Sequence, residues 1–356
     1  MMNSEPEGRG PHRRDLLARV AGLGMGAGLG PSLGALLGPT AAQARNQASD
    51  PAAAQAGASA PAGQNSGADT LLGRKDRTSR LSTKVMINGE GPFDFVVDTG
   101  ANSSVISSEL AEKLKLAPGG PARIHGISGV QPAATVNVRS FKAGLISIPV
   151  QDVPILKSAD LGCDGLLGID AFRDRRVTLD FQRNVVELAR SRDLAFHEEA
   201  HLMAAVTSEV TVSARQRFGQ LTIIDAEASR RKITCFIDTG AQRTVGNLAM
   251  RRAVQAVTAD ARFTPIKVVI HGATGQEAPG EVAEVPTMRL GGVHFTAFPM
   301  AFADLHTFDL WQLSNQPAVM LGMDLLRLFE QVAIDFGKRE VRFRMAEFLP
   351  LPSARA

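Results

Sequence analysis

The sequence predicts an all-β, two-lobed fold made by internal duplication, with two halves related by a pseudo-twofold axis inside one chain. Three observations predict it. From about Leu71 onward the chain is a succession of short apolar β-type runs broken by Gly, Pro and Asn. A set of landmarks occurs twice in the same order, as a duplicated unit requires. The 356 residues also suffice for two compact lobes plus extensions.

The elements follow in order. Arg13 and Arg14 precede a weakly apolar Gly/Ala/Leu run that ends in small residues at Ala42 and Ala44. That is the layout of a twin-arginine export signal over residues 1–44, cleaved after Ala44 and delivering a periplasmic protein with no membrane contact. An uncleaved anchor is the alternative, although Pro31 and the glycines from Gly22 to Gly38 make a poor spanning helix. Residues 45–70 are rich in Ala, Gly, Ser and Pro and are expected to be a disordered linker. An N-terminal lobe then covers 71–190, a connector 191–205, a C-terminal lobe 206–346 and a tail 347–356.

Within the lobes, "STKVMINGEGPFDFVVD" reads as strand, Asn88-Gly89 turn, strand, and "RVTLDF" with "NVVEL" as a second hairpin. Asp98-Thr99-Gly100-Ala101 recurs as Asp238-Thr239-Gly240-Ala241, each after an apolar run. A helix follows each box, capped by Ser108 in the first half and Asn247 in the second. His125-Gly126-Ile127-Ser128-Gly129 recurs as His271-Gly272-Ala273-Thr274-Gly275, and "GLLGIDAFRDRRVTLDF" (165–181) as "VMLGMDLLRLFEQVAIDF" (319–336). The second half carries insertions, one of which holds the only tryptophan, Trp311.

Charge narrows the partners. A net charge of +3 without a basic block excludes a nucleic-acid binder. Cys163 and Cys235 are read as free structural thiols. The charged stretch "FRDRRVTLDFQR" is expected to be a solvated strand edge.

A strand that ends on a buried carboxylate needs compensation. Packing about a pseudo-twofold brings Asp98 and Asp238 together, and two carboxyls in contact share one proton and titrate as a unit. Gly100 and Gly240 let backbone approach that pair and donate to it. Thr99 and Thr239 supply hydroxyls that lock the two loops.

These boxes resemble the retroviral-type (retropepsin-like) aspartic peptidases, with both halves in one polypeptide. Alanine after each glycine leans toward that branch, and "LLGID" and "MLGMD" are similar to the family's apolar-apolar-Gly segments. The resemblance spans about residues 80–345. It implies the acid-protease barrel fold and hydrolysis of peptide bonds in a protein or peptide substrate by a water that Asp98 and Asp238 activate. It implies a monomer, with no metal and no cofactor. The His-Gly boxes fall at the family's flaps, the hairpins that close over substrate, with Gly126, Gly129, Gly272 and Gly275 at their tips. The chain has no tyrosine, so the flap tyrosine of the pepsin-like enzymes is missing. His125 and His271 are either turn-stabilising residues or contacts to substrate and pH.

Two other functions stay open at this point. One is a peptide-binding pseudo-enzyme that keeps the cleft without turnover. The other is a zinc peptidase using His197-Glu198 and His201 of "HEEAH", a pattern that lacks the glycine of its longer form and lies between the duplicated halves.

Overall fold

The computed structural model describes residues 68–72, 74–75, 80–144, 146–148, 152–191, 209–217, 219–223, 225–255 and 265–345. The export signal, most of the linker and connector, the tail and His197, Glu198 and His201 lie outside them. Among the described residues no helix is long and apolar enough to cross a membrane.

Strands Leu81–Ile87 and Glu90–Val97 are joined by Asn88 and Gly89, whose φ values of 52° and 86° are the left-handed pair that a tight hairpin needs. The second strand ends in buried Phe95, Val96 and Val97 and delivers Asp98. In the other half Gln220–Ile223 and Thr234–Ile237 form the equivalent pair and deliver Asp238.

The apolar-apolar-Gly segments occupy equivalent places. Strand Gly165–Leu167 runs parallel to Glu90–Val97 and antiparallel to Val105–Ser107. Strand Ala318–Leu321 runs parallel to Thr234–Ile237 and antiparallel to Val245–Gly246. Each thus threads between the strand entering an Asp-Thr-Gly box and the strand leaving it. Leu166, Leu167 and all four residues of Ala318–Leu321 are fully buried, so the sequence tolerates only apolar residues there.

The halves are joined by a six-stranded base. Its order is Ala68–Leu72, Val185–Arg190, Arg175–Asp180, Gln331–Asp335, Glu340–Arg344, Glu209–Arg217, three strands from each half. At its centre Asp180 pairs with Gln331, Arg176 with Asp335, and Thr178 with Ala333. Asp180 and Asp335 are the matching aspartates of "VTLDF" and "VAIDF". The register is therefore self-complementary, and the pseudo-twofold passes between Thr178 and Ala333.

Three expectations are corrected. The linker is not unstructured to its end, because Ala68–Leu72 is an edge strand of this base, paired with Val185–Arg190. The stretch "FRDRRVTLDFQR" is not a strand edge. Its strand has neighbours on both sides, and Arg183 is held by Asp180 at 2.8 Å and Glu187 at 3.1 Å. The first helix, Ser108–Lys113, is capped by Ser107, whose hydroxyl accepts from Leu110 N at 3.2 Å, and not by Ser108.

Asn247 caps the second helix, Leu248–Gln255, as expected, accepting from Met250 N at 2.8 Å. It also does more. Fully buried, it donates to the carbonyls of Leu313 and Gln316 and accepts from Ala318 N, tying the insertion to the sheet. That insertion forms helix His306–Leu310 and lays Trp311 over Phe236, ring centroids 4.3 Å apart, two residues before Asp238. Cys235 is buried and Cys163 half-buried, and neither is in a disulfide.

The two caps predict unequal penalties. Ser107→Ala should cost about 1 kcal/mol. Asn247→Ala strands three buried backbone groups and one nearer the surface and should cost about 3 kcal/mol or more. Chemical denaturation of both variants checks the order, and equal losses would contradict it.

Candidate active site

Asp98 and Asp238 lie at the ends of equivalent strands, 0% and 2% exposed. Each is fixed in the same way. Asp98 Oδ1 accepts from Gly100 N at 2.9 Å and Ala101 N at 3.0 Å, and Asp238 Oδ1 accepts from Gly240 N and Ala241 N at the same two distances. The main chain behind them is pinned to the apolar-apolar-Gly segments, Asp98 N donating to Leu167 O and Asp238 N to Leu321 O. Oδ2 of each aspartate is buried and meets no donor other than the opposite carboxyl.

The two carboxyls meet across the pseudo-twofold. A Cβ on Gly100 would lie 2.5 Å from Asp238 Cγ, and one on Gly240 2.3 Å from Asp98 Cγ. Any side chain at either glycine would drive the pair apart. The threonines cross as well. Thr99 Oγ1 donates to Ile237 O at 2.8 Å and accepts from Thr239 N at 3.2 Å, while Thr239 Oγ1 donates to Val97 O at 2.7 Å and accepts from Thr99 N at 3.0 Å. Four buried hydrogen bonds thus set the separation of the loops.

Burial dominates the electrostatics. It pushes the Asp98 carboxyl from its ordinary 3.8 up to about 6, against the opposing pull of Arg80 and the two backbone N–H groups. Burial and the charge of Asp98 also push Asp238 well above its ordinary 3.8.

The His-Gly boxes are hairpin tips. Gly126–Gly129 joins Ala122–His125 to Val130–Ala133, and Gly272–Gln276 joins Ile266–His271 to Glu277–Leu290. Gly129 and Gly275, at φ +144° and +73°, supply the turns. Gly126 serves close approach instead: a Cβ there would sit 2.3 Å from both Gln276 Oε1 and Thr274 Oγ1 of the other tip. The tips interlock. Ser128 N donates to Gln276 Oε1 at 2.9 Å, Ser128 Oγ to Glu277 O, and Gln131 Nε2 to Thr274 O at 3.1 Å.

Each tip also buries an apolar residue in the opposite half. Ile127 is buried with Phe236, Val245, Ile270 and Trp311, and Ala273 with Val96, Val105, Ile124 and Leu166. Gly272 sits against Ile127, so this crossing needs its missing side chain. His125 Nδ1 lies 3.0 Å from His306 Nε2, with the rings parallel to within 5°. Burial, then His306 and Arg123, hold its pKa below the ordinary value. His271 is half-buried and reaches Glu277 at 3.1 Å across its own turn. The matched histidines therefore have different surroundings.

Sequence reasoning passed over four supports. Ser104 Oγ donates to Asp170 at 2.7 Å and accepts from Gly168 N at 3.1 Å. Thr244 and Asp324 repeat this at 2.7 Å, with Gly322 N at 3.0 Å. These residues stand within the duplicated boxes, and their recurrence was the available signal. Gln220 and Arg80 are buried beside the loops, each 18 residues before an aspartate, a spacing shared by both halves.

The raised carboxyl pKa values set a pH dependence of stability. A carboxyl that titrates higher in the folded protein stabilises it fully below its unfolded pKa of 3.8, and that contribution is lost as pH rises through about 6. The melting temperature of an Asp98→Asn, Asp238→Asn double variant should therefore gain on the unmodified protein between pH 4 and 7. A constant difference would show that the pair is not strained by ionisation.

A family model described as aspartyl protease matches residues 83–171 and 221–325. Among solved structures, a retropepsin-like aspartic protease from Rickettsia conorii is similar at 20% identity, with a TM-score of 0.26, over 39% of this chain and 91% of that one. No curated protein matches. The two matched segments fall one in each half of the duplication and together cover more than half of the sequence, so the chain belongs to the aspartyl protease family.

Proposed function

We propose that the chain is an exported, single-chain aspartic endopeptidase in which Asp98 and Asp238 activate a water for hydrolysis of peptide bonds. One observation carries the reading. Two buried carboxyls from equivalent loops each have one oxygen fixed by two backbone N–H groups and the other reached by no donor except the opposite carboxyl. That leaves one oxygen on each carboxyl free for chemistry, with a shared proton between them.

The step balances with one water. The ionised carboxylate takes a proton from water as its oxygen bonds to the scissile carbonyl carbon. The protonated partner gives its proton to the carbonyl oxygen, forming a neutral tetrahedral diol. Collapse of the diol breaks the C–N bond: the carboxyl that took the proton from water gives it to the amide nitrogen, and one diol hydroxyl returns its proton to the other carboxylate, restoring the pair. The Oδ1 contacts keep both carboxyls in place throughout, which is where preorganisation lowers the barrier. In this reading the interlocked tips are flaps, and a peptide enters only when Ile127 and Ala273 leave their pockets. The internal pseudo-twofold supports a monomer, and the Arg13-Arg14 signal supports a periplasmic location.

Asp98→Asn in the purified protein should abolish cleavage of a peptide library and leave the fold intact. A statine-type transition-state analogue should inhibit, whereas a chelator should not. Cleavage persisting in the variant, or lost to the chelator alone, would overturn the dyad reading, and binding without cleavage by the unmodified protein would point to a pseudo-enzyme. The base must be ionised, so kcat/KM should rise as pH climbs through about 6 and fall once the second proton is lost.

A further inference from the structure

The duplication is broken at one buried position beside the carboxyl pair. In the first half the strand register pairs Ser82 with Val96, and in the second it pairs Thr222 with Phe236. Continued by two residues, each register sets Arg80 opposite Asp98 and Gln220 opposite Asp238. The two residues are equivalent, and they are 3% and 1% exposed. Gln220 uses a neutral amide, whose Nε2 donates to Gly100 O and Asn102 Oδ1, both at 3.0 Å, and so holds the loop of the other half. Arg80 brings a guanidinium, with Nη2 donating to Leu161 O at 2.5 Å.

A guanidinium is charged at every working pH, and glutamine never is. The twin carboxyls therefore sit in a field that is not twofold. In a buried, weakly screened site a fixed positive charge favours ionisation of the nearer carboxyl. We propose that Arg80 is a positioning residue that decides which aspartate holds the shared proton, leaving Asp98 ionised as the base and Asp238 protonated as the acid. This rests on the dyad reading above and adds to it the order of the two roles. The charges around each carboxyl agree in direction. Besides Asp238, Arg80 is the charged group that acts on Asp98 and it lowers its pKa, whereas the charge acting on Asp238 is that of Asp98, which raises it.

The test is the pH profile of kcat/KM on a library-derived peptide for Arg80→Gln, which makes the two halves alike, and for Arg80→Lys, which keeps the charge. Loss of the charge should move the acid limb to higher pH by about one unit, and Arg80→Lys should leave it near its original place. An acid limb unmoved in Arg80→Gln, with Asp98→Asn inactive, would overturn the role of Arg80 while leaving the dyad standing. Activity surviving in Asp98→Asn would instead remove the dyad itself. Should Arg80→Gln not fold, carboxyl carbon NMR of the unmodified protein decides the matter, with the Asp98 resonance identified by its loss in Asp98→Asn. Asp98 must ionise before Asp238, and the reverse order would sink the proposal.

Discussion

The structure depends on two carboxyl groups being held in contact where water does not reach them. Burial alone makes each costly to ionise. The fold makes this tolerable by giving each one oxygen two backbone donors and by placing the second carboxyl where it can share a proton with the first. Everything near the pair serves that contact. The glycines leave no room for a Cβ, and the crossed threonines set the distance between the loops. The Ser104–Asp170 and Thr244–Asp324 pairs brace each loop against the segment threaded behind it.

Such a contact demands a symmetric frame, and the chain builds one from its own halves. The six-stranded base pairs across Thr178 and Ala333 in a self-complementary register, which fixes the axis at the floor. Above the carboxyls the two hairpin tips cross, each burying one apolar residue in the other half. The axis is thus fastened at three levels: the base, the threonine lock and the tips. The departures from symmetry are local. Trp311 and its short helix thicken the second half, His125 finds a histidine partner where His271 finds a glutamate, and Arg80 stands where the second half has Gln220. The scaffold is thus close to symmetric while the contacts around it are not.

The repeated boxes, the hairpin at Asn88-Gly89, the cap at Asn247 and the tips at the His-Gly boxes were legible in the sequence because each depends on local chemistry or on repetition. The errors came where the deciding partner is distant. Ser107 and Ser108 are equal as local capping candidates, and only the orientation of the helix against the preceding strand selects Ser107. The charged run at 172–183 reads as exposed edge by composition, but sheet order puts its strand in the middle of the base. Ala68–Leu72 lacks strong strand character and pairs because Val185–Arg190 offers it an open edge.

By itself the sequence determined a duplicated β protein with two Asp-Thr-Gly loops, because duplication is visible as order and spacing without coordinates. Tertiary structure alone decided that Gly126 and Gly272 serve contact between the tips and the opposite half, that the matched histidines differ, and that an arginine and a glutamine occupy twin positions beside the carboxyls. Those facts arise from chain segments up to 181 residues apart meeting in space, as His125 and His306 do. Contacts of that range leave no local pattern, since each partner is free to be conventional in its own neighbourhood.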